Sequence, residues 1–259
     1  MKKLLLILLL VFSLQTVSGV IVESGRFSDL LDYLKEDTWV ILDIDNTLIE
    51  PIQTLGSDQW FRYRIKWYKE QGYDDHNSLL KALDEWQAVQ FITKVKLVEN
   101  ETPQVIRSLQ DEGRSVMGLT SRGLALATRT VEQLASVNID LSRATFSDRD
   151  LLFFNPRGIL YRKGVLFCAG THKGEAFHKM LDLSQVKPNS VLFIDDRPSD
   201  LKSVEEVCER EGIEFIGLRY GFVDQKVEDF DYRVTNIQFD QMVNIISDEA
   251  AKRILNSNK

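Results

Sequence analysis

The chain has 259 residues, of which 44% are hydrophobic and 27% are charged, and its formal net charge is −7. This length supports one substantial core with room for an insertion, and the composition excludes wholesale disorder. The negative net charge argues against broad electrostatic binding to an anionic membrane, and we expect no nucleic-acid partner.

The N-terminal segment has the pattern of a secretory signal peptide. A pair of lysines precedes nine uninterrupted apolar residues, Leu4–Phe12, and small residues at Val17 and Gly19 suit a signal peptidase. The apolar run is shorter than the roughly 20 residues that a membrane-spanning helix needs, and no cysteine follows it for lipid attachment. We therefore expect residues 1–19 to be removed, leaving a periplasmic or secreted bacterial protein without a membrane anchor.

Export implies an oxidising compartment, yet the chain carries only two cysteines, Cys168 and Cys208. Both stand beside apolar residues, which favours buried free thiols. The sequence also allows one structural disulfide between them.

After residue 19 the chain alternates between apolar strand patterns and amphipathic helix patterns. Short apolar strands separated by helices predict an α/β fold, a doubly wound parallel sheet with both faces covered. A hairpin is predicted at "GILYRKGVLF", around Arg162–Gly164. The predicted strands are Trp39–Ile44, Ser115–Leu119, Val191–Ile194 and Glu214–Leu218, and the predicted helices are a short one near Phe27–Leu34, then Pro103–Glu112, Leu124–Val137, Lys173–Leu181, Leu201–Glu211 and Asp240–Leu255.

The segment from about 51 to 101 interrupts this alternation. Trp60, Tyr63 and Trp67 recur at helical spacing, and three of the four tryptophans fall in this segment. We interpret it as a small helical cap inserted into a single domain that covers residues 20–259.

Polar residues follow the predicted strands at the points where the strands end. Ligands bind at the carboxyl ends of strands in such sheets, so these side chains are expected to share one edge. Carboxylates alone would repel each other there, and a divalent cation would compensate them. The residues are Asp43 and Asp45 after the first strand, Thr120 after the second, Asp195 and Asp196 after a later one, and Lys173 at a helix start.

Four segments in this order resemble the motifs of the haloacid dehalogenase superfamily, in its phosphatase branch. "DIDNT" is similar to the first motif, "VMGLTSR" to the second, the lysine of "HKGEAF" to the third and "LFIDDRPSD" to the fourth. The resemblance spans almost the whole chain after the signal segment. It implies a Rossmann-like domain with a cap after the first motif, a layout shared by some uncharacterised secreted bacterial proteins.

The resemblance implies a role for each matching residue. Asp43 would be the nucleophile that forms an aspartyl-phosphate, and Asp45 would act as general acid and then as general base. Thr120 and Lys173 would bind the phosphoryl oxygens. Dehalogenating members generally lack an acid at the position of Asp45, which favours phosphate chemistry.

The resemblance also implies a Mg²⁺ site, since this cation prefers oxygen ligands. Asp43, the backbone carbonyl of Asp45, and Asp196 would hold it, with Asp195 close by and Asp200 acting through water or from behind the ligands. Many members carry glycine where Asp195 stands, so the sequence leaves the division of metal binding between Asp195 and Asp196 open.

The sequence thus predicts an exported phosphomonoester hydrolase for a small phosphorylated substrate. Two alternatives stay open: a non-catalytic binding protein with the same fold, and a phosphotransferase with an acceptor other than water. The role of Arg122 is also open, between a phosphate contact and a structural ion pair.

Overall fold

The computed structural model describes residues 19–242, apart from 145, 146, 148, 154–156 and 185. The predicted signal peptide, except Gly19, and the predicted helix Asp240–Leu255 beyond residue 242 lie outside the described residues. Within the described part of the chain, no helix combines the length and the apolar character that crossing a membrane requires.

Eight strands of the described chain form one sheet in the order β1-β10-β9-β2-β5-β8-β7-β6, and β3 pairs with β4 in a separate two-stranded sheet. Following this order across the sheet, the neighbouring strands β1, β10, β9, β2, β5 and β8 are all parallel. β7 is antiparallel to both β8 and β6. The strands are β1 (Val20–Ser24), β2 (Thr38–Leu42), β3 (Ile49–Pro51), β4 (Val95–Leu97), β5 (Val116–Thr120), β6 (Leu151–Phe153), β7 (Ile159–Arg162), β8 (Val165–Phe167), β9 (Ser190–Asp195) and β10 (Glu214–Tyr220).

The helices alternate with these strands along the chain. Three further segments, Phe27–Tyr33, Leu124–Leu126 and Leu141–Ala144, are 3₁₀ turns. The α-helices are α1 (Asp58–Glu70), α2 (Asp75–Ile92), α3 (Thr102–Asp111), α4 (Ala127–Ser136), α5 (Lys173–Ser184), α6 (Pro198–Glu211), α7 (Asp224–Glu228) and α8 (Tyr232–Asp240).

The predicted doubly wound parallel sheet is confirmed. Every residue of β2, β5 and β9 is buried, which explains their continuous apolar sequences, since a strand covered on both faces has no solvent side. The edge strand β1 escaped prediction. It pairs only with β10 among the described strands, and its three apolar residues, Val20 to Val22, directly follow the predicted signal segment.

The predicted hairpin is also confirmed. β7 and β8 pair in antiparallel register and are joined by Lys163 and Gly164, with φ of 49° and 77°. Positive φ at both turn residues matches the right-handed twist of the paired strands. A Cβ on Gly164 would lie 2.0 Å from the backbone oxygen of Leu141, so only glycine fits there.

The chain divides into two compact units. The first unit contains the described residues of Met1–Leu48 and Leu97–Phe222, including the large sheet. The second unit contains those of Ile49–Lys96 and Val223–Lys259.

Within the second unit, α1 and α2 pack against each other, and aromatic contacts join α1 to the C-terminal segment. The Trp60 and Phe239 rings lie 5.4 Å apart, and Tyr63 stacks on Tyr232 at 5.0 Å. The sequence prediction contains no helix over 224–239 and gives that segment no part in the insertion. Tyr232 and Ile237 are well exposed in this segment.

Candidate active site

The candidate site lies at the carboxyl edge of the large sheet, in the first unit. β9, β2 and β5 are neighbours, so the residues that end them meet at one place. Asp43 directly follows β2 and its backbone N–H donates to Ile194 of β9 at 3.0 Å, while Thr120 ends β5 and Asp195 ends β9. Parallel packing therefore brings together residues that are far apart in sequence.

Lys173 joins two of these carboxylates. Its Nζ donates to Oδ1 of Asp43 at 2.5 Å and to Oδ2 of Asp195 at 2.7 Å, and it lies 3.6 Å from Oδ2 of Asp200. Lys173 is 2% exposed, Asp195 is 0% and Asp43 is 5%. An ammonium group this deeply buried needs such partners, since an unpaired buried charge is very costly.

A close helix contact helps to place Lys173 at the start of α5. Gly174 donates its backbone N–H to the Ser203 hydroxyl at 3.1 Å, and a Cβ there would lie 2.0 Å from the Ser203 backbone oxygen. Glycine therefore lets α5 approach α6 at the position next to the lysine.

Burial and neighbouring charges shift the pKa values of Asp43, Asp195 and Lys173 in opposite directions. Burial raises the pKa of Asp43 and, more strongly, that of Asp195, although the nearby Lys173 opposes both shifts. Burial by itself would lower the pKa of Lys173, but Asp195, Asp43 and Asp200 outweigh it and raise that pKa well above its usual range. Lys173 is thus held in its charged form.

The remaining oxygens of Asp43 and Asp195 have local donors. The Thr47 hydroxyl donates to Oδ2 of Asp43 at 3.1 Å, and the backbone N–H of Arg197 donates to Oδ1 of Asp195 at 2.8 Å. Thr47 is fully buried, four residues after Asp43. The turn that follows β2 therefore orients the same carboxylate that Lys173 contacts.

A set of carboxylates here fits a hard divalent cation. Carboxylate oxygens of Asp43, Asp195 and Asp196 all lie within 4.8 Å of one another. Asp200 adds a fourth acid, whose buried Oδ2 has no hydrogen-bond partner in the described chain. We call Asp43, Lys173, Asp195, Asp196 and Asp200 the acid cluster. It contains four carboxylates and one ammonium group, and oxygen ligands with excess negative charge suit Mg²⁺.

Asp45 lies outside the acid cluster and pairs with Arg122. The guanidinium donates from Nη2 and Nε to the two oxygens of Asp45 at 2.7 and 2.8 Å, and from Nη1 to Thr130 at 3.0 Å and to Gln133 at 2.6 Å. Of the two roles that the sequence leaves open for Arg122, the geometry corresponds to the ion pair. The Asp45 side chain keeps 23% exposure, so it can still reach a solvent molecule or a leaving group.

Thr120 is buried beside the loop that precedes α5. Its hydroxyl oxygen accepts the backbone N–H of Arg122 at 3.2 Å, and its backbone oxygen accepts that of Cys168 at 2.9 Å. A further bond runs from the N–H of Ala169 to the Arg122 oxygen at 3.1 Å. These bonds tie the chain after β8, and with it Lys173, to the end of β5.

Sequence reasoning assigned no role to Asn46 or Thr47, although both belong to the quoted "DIDNT". Asn46 adopts a left-handed φ of 63°, and its side-chain amide donates to Oδ2 of Asp196 at 3.1 Å. Asparagine tolerates this backbone region better than most residues, which is the one sequence signal that could have identified it.

Both cysteines are free and buried. Burial raises the pKa of Cys168 and of Cys208 to about 12, so both are neutral thiols at physiological pH. Neither has the lowered pKa that a reactive thiol requires.

Comparisons with known proteins add a family and several relatives. A family model described as "Protein of unknown function (DUF2608)" matches residues 23–252. A protein of Chlamydia muridarum (strain MoPn / Nigg) named "Putative outer membrane protein" is 28% identical over 228 residues, which are 88% of this chain and 85% of that protein. An uncharacterised protein of Rickettsia prowazekii (strain Madrid E) is 24% identical over 281 residues, covering 98% of each chain.

Among solved structures, a haloacid dehalogenase-like family hydrolase from Streptococcus pneumoniae is similar over 70% of this chain and 93% of its own, with 13% identity and a TM-score of 0.43. A haloacid dehalogenase superfamily hydrolase, subfamily IA, from Geobacter sulfurreducens covers 73% of this chain and 95% of its own, with 12% identity and a TM-score of 0.38.

Proposed function

The chain belongs to the DUF2608 family of proteins of unknown function, and we propose that it is an exported, Mg²⁺-dependent phosphomonoester hydrolase of the haloacid dehalogenase type. The observation that carries this proposal is the position of Lys173, shared between Asp43 and Asp195 within a group of acids that fits a divalent cation. A purely structural ion pair needs one acid for one base, and here the acids are in excess.

In the first half-reaction, an oxygen of Asp43 attacks phosphorus while the bond from phosphorus to the leaving oxygen breaks. This gives an aspartyl-phosphate and an alkoxide, which receives a proton from the carboxyl group of Asp45. Thr47 and Lys173 hold the Asp43 carboxylate in one orientation through hydrogen bonds to its two oxygens. Such positioning is a main contribution of a protein to phosphoryl transfer.

In the second half-reaction, the Asp45 carboxylate accepts a proton from a water molecule that attacks the aspartyl-phosphate. The bond from phosphorus to the Asp43 oxygen breaks, which releases phosphate and restores both carboxyl groups. Arg122 donates to both oxygens of the Asp45 carboxylate, which orients this side chain for the base step.

The carboxylates of the site would repel a negatively charged phosphoryl group unless a bound cation offset their charge. Asp43, Asp196 and the backbone carbonyl of Asp45 would hold Mg²⁺, with Asp195 beside them, and the bound ion would neutralise negative charge on the phosphoryl oxygens. Lys173 and the Thr120 hydroxyl would contact those oxygens as well. Asp200 would act from behind these residues by keeping Lys173 charged.

Export is the second part of the proposal. The N-terminal segment has a signal-peptide pattern, and the chlamydial relatives carry the name "Putative outer membrane protein". We infer that the mature chain acts outside the bacterial cytoplasm on a small phosphorylated substrate.

A panel of phosphomonoesters, assayed with and without Mg²⁺, tests the reaction. We expect turnover by the wild-type protein that requires Mg²⁺ and falls by at least about 10³-fold in Asp43→Asn, as the loss of a nucleophile does elsewhere. Asp32→Asn, the same substitution at an exposed position, is the matched control and should keep full activity.

The failure modes separate the alternatives. Activity that survives in Asp43→Asn contradicts the assignment of the nucleophile. Absence of turnover across the panel, together with no binding of beryllofluoride as a phosphoryl mimic, contradicts the enzyme itself. Transfer of phosphate to an added alcohol, at the expense of inorganic phosphate, identifies a phosphotransferase.

A further inference from the structure

Asn46 has a backbone conformation that few residues adopt readily. Its φ is 63°, in the left-handed region, and its side chain is only 6% exposed. Glycine and asparagine tolerate this region best. Glycine would satisfy the turn equally well, so the backbone alone does not explain a buried asparagine.

The side chain of Asn46 supplies the missing explanation. Its Nδ2 donates to Oδ2 of Asp196 at 3.1 Å, across 150 positions of sequence. Asp196 belongs to the acid cluster, and its carboxylate lies within 4.8 Å of those of Asp43 and Asp195. Asn46 therefore connects the turn after β2 with the carboxylate that follows β9.

Each residue of the turn formed by Asp45, Asn46 and Thr47 makes a different connection. Asp45 pairs with Arg122, Asn46 donates to Asp196, and Thr47 donates to Asp43. The turn thus has two neutral donors directed at two carboxylates of the acid cluster.

The neutrality of the amide matters for a cation site. A lysine or arginine at this position would offset the negative charge that attracts the ion, whereas an amide N–H orients the carboxylate and leaves its charge in place. Asparagine combines a neutral donor with tolerance of the left-handed backbone.

We propose that Asn46 is a positioning residue for the cation: it fixes the carboxylate of Asp196 in the orientation that binds Mg²⁺. This inference rests on the Mg²⁺ site of the proposed function. Groups that orient metal ligands typically change metal affinity by about 10- to 100-fold when they are removed.

The test measures cation affinity directly, without any assay of activity. Mn²⁺, as a spectroscopic substitute for Mg²⁺, is titrated into the full chain, and the free ion is followed by electron paramagnetic resonance. Asn46→Gly keeps a residue that accepts the left-handed backbone but removes the amide, so we expect its dissociation constant to rise about 10- to 100-fold.

Two further variants complete the design. Asn138→Gly removes another left-handed asparagine, with a φ of 64°, at an exposed position after α4, and its affinity should equal that of wild type. Asp196→Asn removes the ligand itself and should weaken binding at least as much as Asn46→Gly.

The outcomes distinguish this inference from the proposed function. Wild-type affinity in Asn46→Gly, with weakened binding in Asp196→Asn, overturns the role of Asn46 and leaves the metal site intact. No Mn²⁺ or Mg²⁺ binding by the wild-type protein overturns both. Weakened binding in Asn46→Gly, with unchanged binding in Asn138→Gly, supports the role, provided that both variants unfold at similar temperatures in EDTA.

Discussion

Each of the two units contains a group of charged side chains around a buried base, and the two groups differ in their balance of charge. In the second unit, Arg64 donates to both oxygens of Glu85 at 2.6 and 2.8 Å, and Tyr68 donates to the same carboxylate at 2.5 Å. We call these three residues the Arg64 cluster: one cation faces one anion. The acid cluster of the first unit has four carboxylates for one ammonium group.

This difference indicates a structural role for the Arg64 cluster and a ligand-binding role for the acid cluster. The Arg64 guanidinium also lies 4.2 Å from the centre of the Trp67 ring, and Glu85 outweighs the effect of burial to raise the pKa of Arg64. Each group of the Arg64 cluster is thereby satisfied within the unit. The acid cluster has four carboxylates and one ammonium group, and the neighbouring Arg197 guanidinium lies 3.9 Å from Asp200. This surplus of acids suits a positively charged ligand.

The largest predicted effect is the loss of the single cation of the acid cluster. Lys173→Met should destabilise the protein by about 3–5 kcal/mol in EDTA, because it leaves Asp43 and Asp195 buried without a counter-charge. Urea unfolding at pH 7 measures this change. Lys66→Met, at a side chain that is 77% exposed, is the control and should change stability by less than about 0.5 kcal/mol. Equal effects of the two substitutions would contradict the importance of the buried ammonium group.

The next effect concerns the packing that places Lys173. Gly174→Ala should cost about 2–3 kcal/mol, because the new Cβ would lie 2.0 Å from the backbone oxygen of Ser203, and a backbone atom cannot move away by changing rotamer. Gly25→Ala is the matched control, since nothing lies within 4 Å of its added Cβ. The same unfolding measurement compares the two, and a neutral Gly174→Ala would show that α5 and α6 separate easily.

A pair of charge-neutralising substitutions tests the comparison most directly. Asp43→Asn should raise stability in EDTA by about 1 kcal/mol, because it removes one of several carboxylates in excess. Glu85→Gln should lower stability by about 1–2 kcal/mol, because it leaves Arg64 without its anion. Opposite signs in urea unfolding are the expected result. Destabilisation by both would mean that the acid cluster is as balanced as the Arg64 cluster.

The smallest effect is a pH dependence that arises from the buried thiols. The folded pKa of each cysteine, about 12, exceeds the ordinary value of 9.0, so the unfolded chain loses the thiol protons first as the pH rises. Stability should therefore be almost unaffected below about pH 8.5 and fall between about pH 9 and 12, by about 1 kcal/mol per thiol near pH 9.6. Urea unfolding of wild type and Cys208→Ala across this range should show a shallower decline in the variant. Parallel curves would contradict the raised pKa of Cys208.

Several features of the site follow from the sequence because they depend on local patterns. The buried strand before Asp43 and the strand before Asp195 are continuous apolar runs, and parallel pairing then requires their carboxyl ends to meet. Lys173 at the start of a helix is a similar local inference. The hairpin is predictable because two short apolar runs flank Arg162–Gly164 in the sequence.

Other features could not be read from the sequence because they depend on which side chains meet. The ion pair of Arg122 with Asp45 could not be predicted, because the two residues are 77 positions apart in the sequence. The pairing of the strands before them brings the two side chains together. The helix α8 was not predicted, and its aromatic contacts with α1 join segments about 170 positions apart in the sequence, which a local pattern does not reveal. The edge strand β1 was missed because its apolar run is only three residues long and directly follows the predicted signal segment.

The sequence by itself determined the central strands and the helices that alternate with them, the parallel sheet and the residues that end its central strands, since these depend on apolar periodicity and on the geometry of parallel pairing. Only the tertiary structure decided that Lys173 is shared by Asp43 and Asp195, that Arg122 pairs with Asp45 and that Asn46 contacts Asp196. Hydrogen bonds and ion pairs act over about 3 Å, and distances of that size between residues 22 to 150 positions apart exist only once the chain has folded.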